Sequence, residues 1–164
     1  MPFIAAQCSA TWKIGKYLNQ LLRPYVEKTL TETSFRDESD FIEKLNHYVY
    51  TQRRLRPTTV FCSMKITNFY SLDIHEKMIN KVVFFLQDTL LSNKLEHVAI
   101  LTIKNLLYLF LMNNIFSYKN QIYKIVKGSP NTIPFTETLS NIYLYLWQRK
   151  ILARLDRNNE LFGR

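Results

Sequence analysis

The sequence predicts an α+β, helix-rich fold in which a small antiparallel sheet is packed by amphipathic helices. Three observations carry that expectation. Apolar residues recur at helical spacing through most of the chain. Within residues 58–70, by contrast, Val60, Cys62, Met64 and Ile66 alternate with Thr59, Phe61, Ser63 and Lys65, the period of two of a strand with one buried face. Two short aromatic segments, 116–118 and 121–126, are joined through Lys119 and Asn120 as a hairpin.

The chain's 164 residues fit one domain with a core of its own, and an apolar fraction of 47% excludes a disordered chain. Eleven Phe, ten Tyr and two Trp against three Gly predict large core side chains and few tight turns. A net charge of +9 favours polyanions, whether nucleic acid, anionic membrane or an acidic protein, without choosing among them. Cys62 falls among the apolar residues of the expected strand and Cys8 lies far from it, which predicts a buried, reduced thiol and an intracellular protein. Residues 1–10 lack the pattern of a secretory signal. The apolar run 98–112 is broken by Lys104 and Asn105 and falls short of the roughly 20 residues that cross a bilayer, so no membrane partner is expected.

The elements follow in order. Residues 1–10 read as irregular, with Pro2 blocking an early helix. A helix over 12–30 is built on Ile14, Leu18, Leu21, Leu22, Tyr25 and Val26, with Lys13, Lys16 and Arg23 on its polar face and Pro24 expected to kink or divide it. A connection at 31–34 leads to a second helix over 37–52 on Phe41, Leu45, Tyr48 and Val49. Arg53, Arg54 and Arg56 meet the negative end of its dipole, and Pro57 stops it. After the expected strand, Asp73 and Glu76 have the form of a capping box for a helix reaching residue 91, with Ile74, Met78, Val82, Phe85 and Leu86 on one side. Residues 92–94 turn the chain into its most apolar helix, 95–114. The hairpin and a loop over 127–134 precede a last helix, 134–155. Pro134 suits its first position, whereas Ile133 cannot cap it; a Ser there is typically worth about 1 kcal/mol. A polar tail, 156–164, ends the chain.

Little in the residues points to catalysis. His47, His75 and His97 share no ligand spacing with one another or with either cysteine, so no metal site is expected. There is no Gly-rich nucleotide loop and no nucleophile elbow, and capping explains Asp37, Asp40 and Asp73.

The order of parts, and short stretches along nearly the whole chain, resemble the reverse transcriptase (RNA-directed DNA polymerase) domain of Penelope-like retroelements, a class of transposable element. The likeness rests on Leu-Leu-Arg-Pro at 21–24, Thr-Ser-Phe at 33–35 with Phe-Ile-Glu-Lys-Leu at 41–45, and Leu-Arg-Pro-Thr-Thr at 55–59. It continues through Ile-Thr-Asn-Phe-Tyr at 66–70, Asn-Ile-Phe-Ser-Tyr at 114–118, Gln-Ile-Tyr at 121–123, and Pro-Phe-Thr-Glu-Thr-Leu-Ser-Asn-Ile-Tyr at 134–143 with Trp147. The resemblance implies a partial polymerase palm with the end of the fingers: finger and palm helices over 1–57, palm core over 58–155, and a tail over 156–164.

It also implies lost chemistry. The family's strand ends in Phe-Asp, whose aspartate binds magnesium; here the positions hold Met64 and Lys65, and an ammonium group cannot ligate that cation. The family's Gly-Gly-x-Met-Gly-Ser-Pro loop corresponds to residues 128–134, which keep Gly128 and Pro134 but lose the other glycines. Leu-Phe-Gly-Arg at 161–164 resembles the lead-in to the family's Tyr-x-Asp-Asp hairpin, and the aspartate pair is absent. By resemblance Tyr70 stands where an aromatic checks the incoming sugar, although a core aromatic reads equally well.

Three functional expectations follow. One is a pseudoenzyme without catalytic residues, metal or cofactor, carrying the remains of a substrate groove at Lys65, Tyr70, Gly128 and Pro134. A second adds sequence-independent RNA or DNA binding through Lys13, Lys16, Arg53, Arg54, Arg56, Lys65 and Lys127, against the alternative that these cations merely solvate separate faces. The third is a helical protein-interaction module that uses apolar surface left open by missing fingers and thumb, or a decayed fragment.

Overall fold

Helix α1 spans Trp12–Leu30, the segment whose periodicity predicts it, and buries Leu18, Leu22, Val26 and Leu30 along one face. It runs unbroken through Pro24, which lies on the exposed side. The buried residues on either side, Leu22 and Val26, hold the helix against the core and outweigh the lost hydrogen bond. The structure, a computed structural model, describes residues 9–67, 73–90 and 97–164. Residues 1–8 of the expected irregular start, the turn at 92–94 and Tyr70 lie outside the described residues.

After a single 3₁₀ turn at Thr31–Thr33, α2 covers Glu38–Asn46. Asp37 caps it by accepting a 2.8 Å hydrogen bond from the Asp40 amide. The second helical segment ends about where expected, but not as α-helix throughout: at His47–Thr51 it widens into one π turn, and Arg53 takes a left-handed φ of 52° that ends it before Pro57. Helix α3, His75–Leu90, buries Met78, Val82, Phe85 and Leu86. Asp73 at its start takes a different part from the expected capping box. Its carboxylate accepts from the Ile74 amide at 2.9 Å, while its carbonyl accepts from the Gly128 amide at 3.0 Å and so ties the start of α3 to the 127–130 loop.

Helix α4, His97–Met112, buries Ile103, Leu107, Phe110 and Leu111. No helix among the described residues is long and apolar enough to cross a membrane. The hairpin forms as expected: β1 (Ile115–Tyr118) pairs antiparallel with β2 (Gln121–Lys124), Phe116 opposite Tyr123 with stacked rings 5.4 Å apart. Lys119 and Asn120 carry φ of 49° and 58°, the signature of a type I′ turn.

Helix α5, Pro134–Arg157, is the axis of the domain. Thr138 donates to Asn19 Oδ1 at 2.6 Å and Gln148 Nε2 donates to Thr33 Oγ1 at 3.1 Å, so α1 lies alongside α5 and runs the same way. The Lys81 ammonium over the Tyr143 ring, the Phe85–Tyr145 edge contact and the Asp88–Arg149 ion pair set α3 parallel to α5 as well. Helix α4 runs opposite to α1, with the Thr11 hydroxyl on Asn114 Oδ1 at 2.6 Å and Phe110 against Gly15. The core lies among these four helices.

Two expectations about residues 58–66 are overturned. They form no strand, and Val60 (78% exposed), Met64 (64%) and Ile66 (45%) face outward rather than into a core. Cys62 is a free, exposed thiol, not a buried one. The physical reason is pairing: among the described residues the sheet is the β1–β2 hairpin alone, and residues 60–66 make no backbone hydrogen bond to another described residue. A lone strand gains nothing over solvated backbone. Because α1 and α3 are parallel, the segment serves as part of the crossover between them.

The tail is more than a polar end. It folds back so that Phe35 donates its amide to the Arg164 carbonyl at 2.8 Å and Tyr48 donates its hydroxyl to Glu160 Oε2 at 2.6 Å. Gly163 lies under the Phe35 ring, where a Cβ would overlap it.

Asp40 shows how the α2 end is held. Its carboxylate, almost wholly buried, accepts from the Arg36 amide at 3.0 Å and from Lys44 Nζ at 3.0 Å. The Arg36 amide, then the Lys44 ammonium, hold its pKa down to about 2. A carboxylate whose folded value is depressed gives stability that is complete above its unfolded value and is lost as pH falls through the folded one. Acid titration of unfolding should therefore show a loss between about pH 4 and pH 2 that Asp40→Asn removes.

Candidate functional site

The arm at residues 58–66 runs beside the outer face of α5 and leaves a groove of about 880 Å³ between them. Val60, Cys62, Met64 and Ile66 line it on one side, and Leu144, Trp147, Ile151 and Leu155 on the other. Thr59 and Ser63 line it as well, whereas Phe61 and Lys65 do not. The alternation written in the sequence survives only in part: all four apolar residues line the groove, but so do Thr59 and Ser63 of the other set. Trp147 remains 53% exposed.

The groove has polar fittings at defined places. Arg54 and Arg56 line it, and Arg54 Nη1 donates to the Asn158 carbonyl at 3.0 Å, which joins the start of the arm to the end of α5. Arg164 lines it from the tail, its Nε donating to Ser34 Oγ at 3.2 Å; partial burial lowers its pKa from the ordinary value. Gln148 is fully buried in the wall, and while its Nε2 bonds Thr33, its Oε1 has no hydrogen-bond partner among the described residues. Glu160 is the acidic lining residue, and its carboxylate is engaged by Tyr48. Across the tail a second, more polar groove of about 850 Å³ is lined by Lys28, Lys44, His47 and Asp156.

The residues singled out from sequence divide between the two ends of α5. Lys13 and Lys16 stand exposed at the start of α1, where Gly15 abuts Ile133, and Lys16 lies over the Trp12 ring. Lys127, exposed and bridged to Ile74, belongs to the same end. Arg53, Arg54 and Arg56 gather beyond the far end of α5, roughly 35 Å away at 1.5 Å per helical residue. Lys65 is exposed on the arm. The structure therefore brings three arginines together but does not join them to Lys13, Lys16 and Lys127.

Gly128 and Pro134 flank a loop that is tied down. Gly128, at φ 74°, is buried with Ser129 and Pro130, and the Ser129 and Thr136 hydroxyls bond at 2.8 Å. Pro134 takes the first position of α5 with its ring exposed, as expected. Sequence reasoning missed the residue that holds this loop: His75 is 4% exposed and its Nε2 lies 3.0 Å from the Gly128 carbonyl, which requires the neutral ring to donate from Nε2. Burial lowers its pKa from the ordinary value, only partly opposed by that bond. A histidine with a depressed folded pKa destabilises the fold on protonation, so stability should fall as pH drops below about 6.5. Chemical denaturation at a series of pH values should show this slope in the wild type and its loss in His75→Gln.

No group of three or more His, Cys, Asp or Glu side chains that could hold a metal ion occurs among the described residues. No protein-family model matches the chain, and no solved structure matches it. Among curated proteins, nicotinate phosphoribosyltransferase of Bacillus subtilis (strain 168) is 30% identical over 79 residues, 46% of this chain. That stretch is 16% of the enzyme's length, so the chain spans a small part of this relative.

Proposed function

We propose that this chain is a non-catalytic association module of reverse-transcriptase-like descent, which binds a protein partner in the groove between the arm and α5. The observation that carries the reading is the arm itself: four apolar residues that line one groove and are left open to water beside an apolar helix face. Contiguous exposed apolar surface of this kind marks interaction sites. In the palm of the resembled family the same segment is a sheet strand; here it supplies the wall of a groove, with Lys65 in place of the metal-binding aspartate and Gly128 locked into a buried loop. The reading needs no metal or cofactor. The match to the phosphoribosyltransferase covers too little of that enzyme to bring its reaction to this chain.

A peptide-display selection on the full chain tests it, with the double variant Val60→Asp, Met64→Asp as the counter-target. Both side chains are exposed, so the variant should keep its stability to within about 0.5 kcal/mol. Peptides that bind the wild type alone are expected. A selection that enriches none, or only peptides that bind both forms equally, overturns the proposal.

A second reading, sequence-independent binding of single-stranded RNA or DNA, is favoured by one specific feature. Arg54 and Arg56 line the same groove as the exposed indole of Trp147, and cations beside an aromatic platform suit an unstacked strand. Oligonucleotide affinity across a salt series would then fall steeply, and Arg54→Glu with Arg56→Glu would flatten the slope.

A further inference from the structure

We infer that the groove receives an extended, acidic segment of a partner protein, which pairs with residues 60–66 as an added strand and fills the space over α5 with its own apolar side chains. The inference rests on the association reading and names its partner.

Backbone argues for a strand rather than a helix. Residues 60–66 offer their N–H and C=O groups to no other described residue, and such a row is a template for another chain. A helical ligand satisfies its backbone internally and would leave that row unused. Side chains agree in part: Val60, Cys62, Met64 and Ile66 all line the groove and Phe61 and Lys65 do not, while Thr59 and Ser63 border it as well. The lengths also match: seven extended residues reach roughly 23 Å, and α5 from Leu144 to Leu155 runs roughly 17 Å beneath them.

Charge selects among extended segments. Arg54, Arg56 and Arg164 line the groove, the one acidic lining residue is already engaged by Tyr48, and the whole chain carries +9. Partners with carboxylates on their solvent-facing positions are drawn in and basic ones repelled.

The probe is a short peptide alternating glutamate and valine, titrated against the full chain. Expected are saturable binding, slowed amide exchange at residues 60–66, and at least about tenfold weaker binding when the peptide's alternate amides are N-methylated, the loss of one or two net hydrogen bonds. Binding without protection at 60–66, equal affinity for a lysine–valine peptide, or displacement by a single-stranded oligouridylate overturns the inference. The two proposals fail separately. Selected peptides that bind as helices in the same groove leave association standing and remove strand addition, whereas a selection that yields no groove-dependent peptide removes both.

Discussion

Phe110→Ala is expected to cost about 3–5 kcal/mol of unfolding free energy. Phe110 is wholly buried where three helices meet: its ring stands edge-on to Phe135 of α5 with centroids 5.6 Å apart, and its edge lies against Gly15 of α1. A Cβ on Gly15 would stand 2.9 Å from Phe110 Cε2 and 2.5 Å from Ile133 Cγ2, so the space is fully used and cannot close over a cavity without moving helix backbones. Denaturant unfolding monitored by circular dichroism checks the value. A loss below about 1 kcal/mol would mean that α1, α4 and α5 do not meet at this ring.

Ile133→Ser is expected to destabilise by at least about 1 kcal/mol, the opposite sign from what helix capping alone dictates. From sequence, a Ser before Pro134 adds a cap worth about 1 kcal/mol, and Ile133 indeed makes no side-chain cap. The structure shows what Ile133 does instead. It is 1% exposed, and its methyl group fills the notch that Gly15 leaves in α1. Removing such a side chain loses about 2–5 kcal/mol, which the new cap only partly offsets. Ile133→Val, which keeps most of the packing, should lose about 1 kcal/mol or less. A stabilised Ile133→Ser would show that capping and not packing decides this position.

These two positions illustrate why much of the fold was legible. Helices α1, α3, α4 and α5 announce themselves by apolar spacing, because a helix buries a stripe set by its own 3.6-residue period. The hairpin was legible for a similar reason, since Lys119 and Asn120 take the left-handed conformations its turn requires. The returning tail and the His75–Gly128 bond were not, because each depends on a partner far away in the chain.

The candidate site was legible only in part. The alternation at 60–66 named the apolar residues that line the groove but not their exposure, and the arginines after Thr51 lie where that segment begins. What period two cannot express is whether a neighbouring strand exists, and here none of the described residues provides one. Local spacing was enough to specify the helices and the hairpin. It took the packing of distant segments to make the arm a crossover open to water, to set its apolar residues along a groove beside α5, and to part the basic residues toward opposite ends of that helix. Burial and convergence belong to pairs of segments, and the free energy of a strand or a site is set by what stands opposite it.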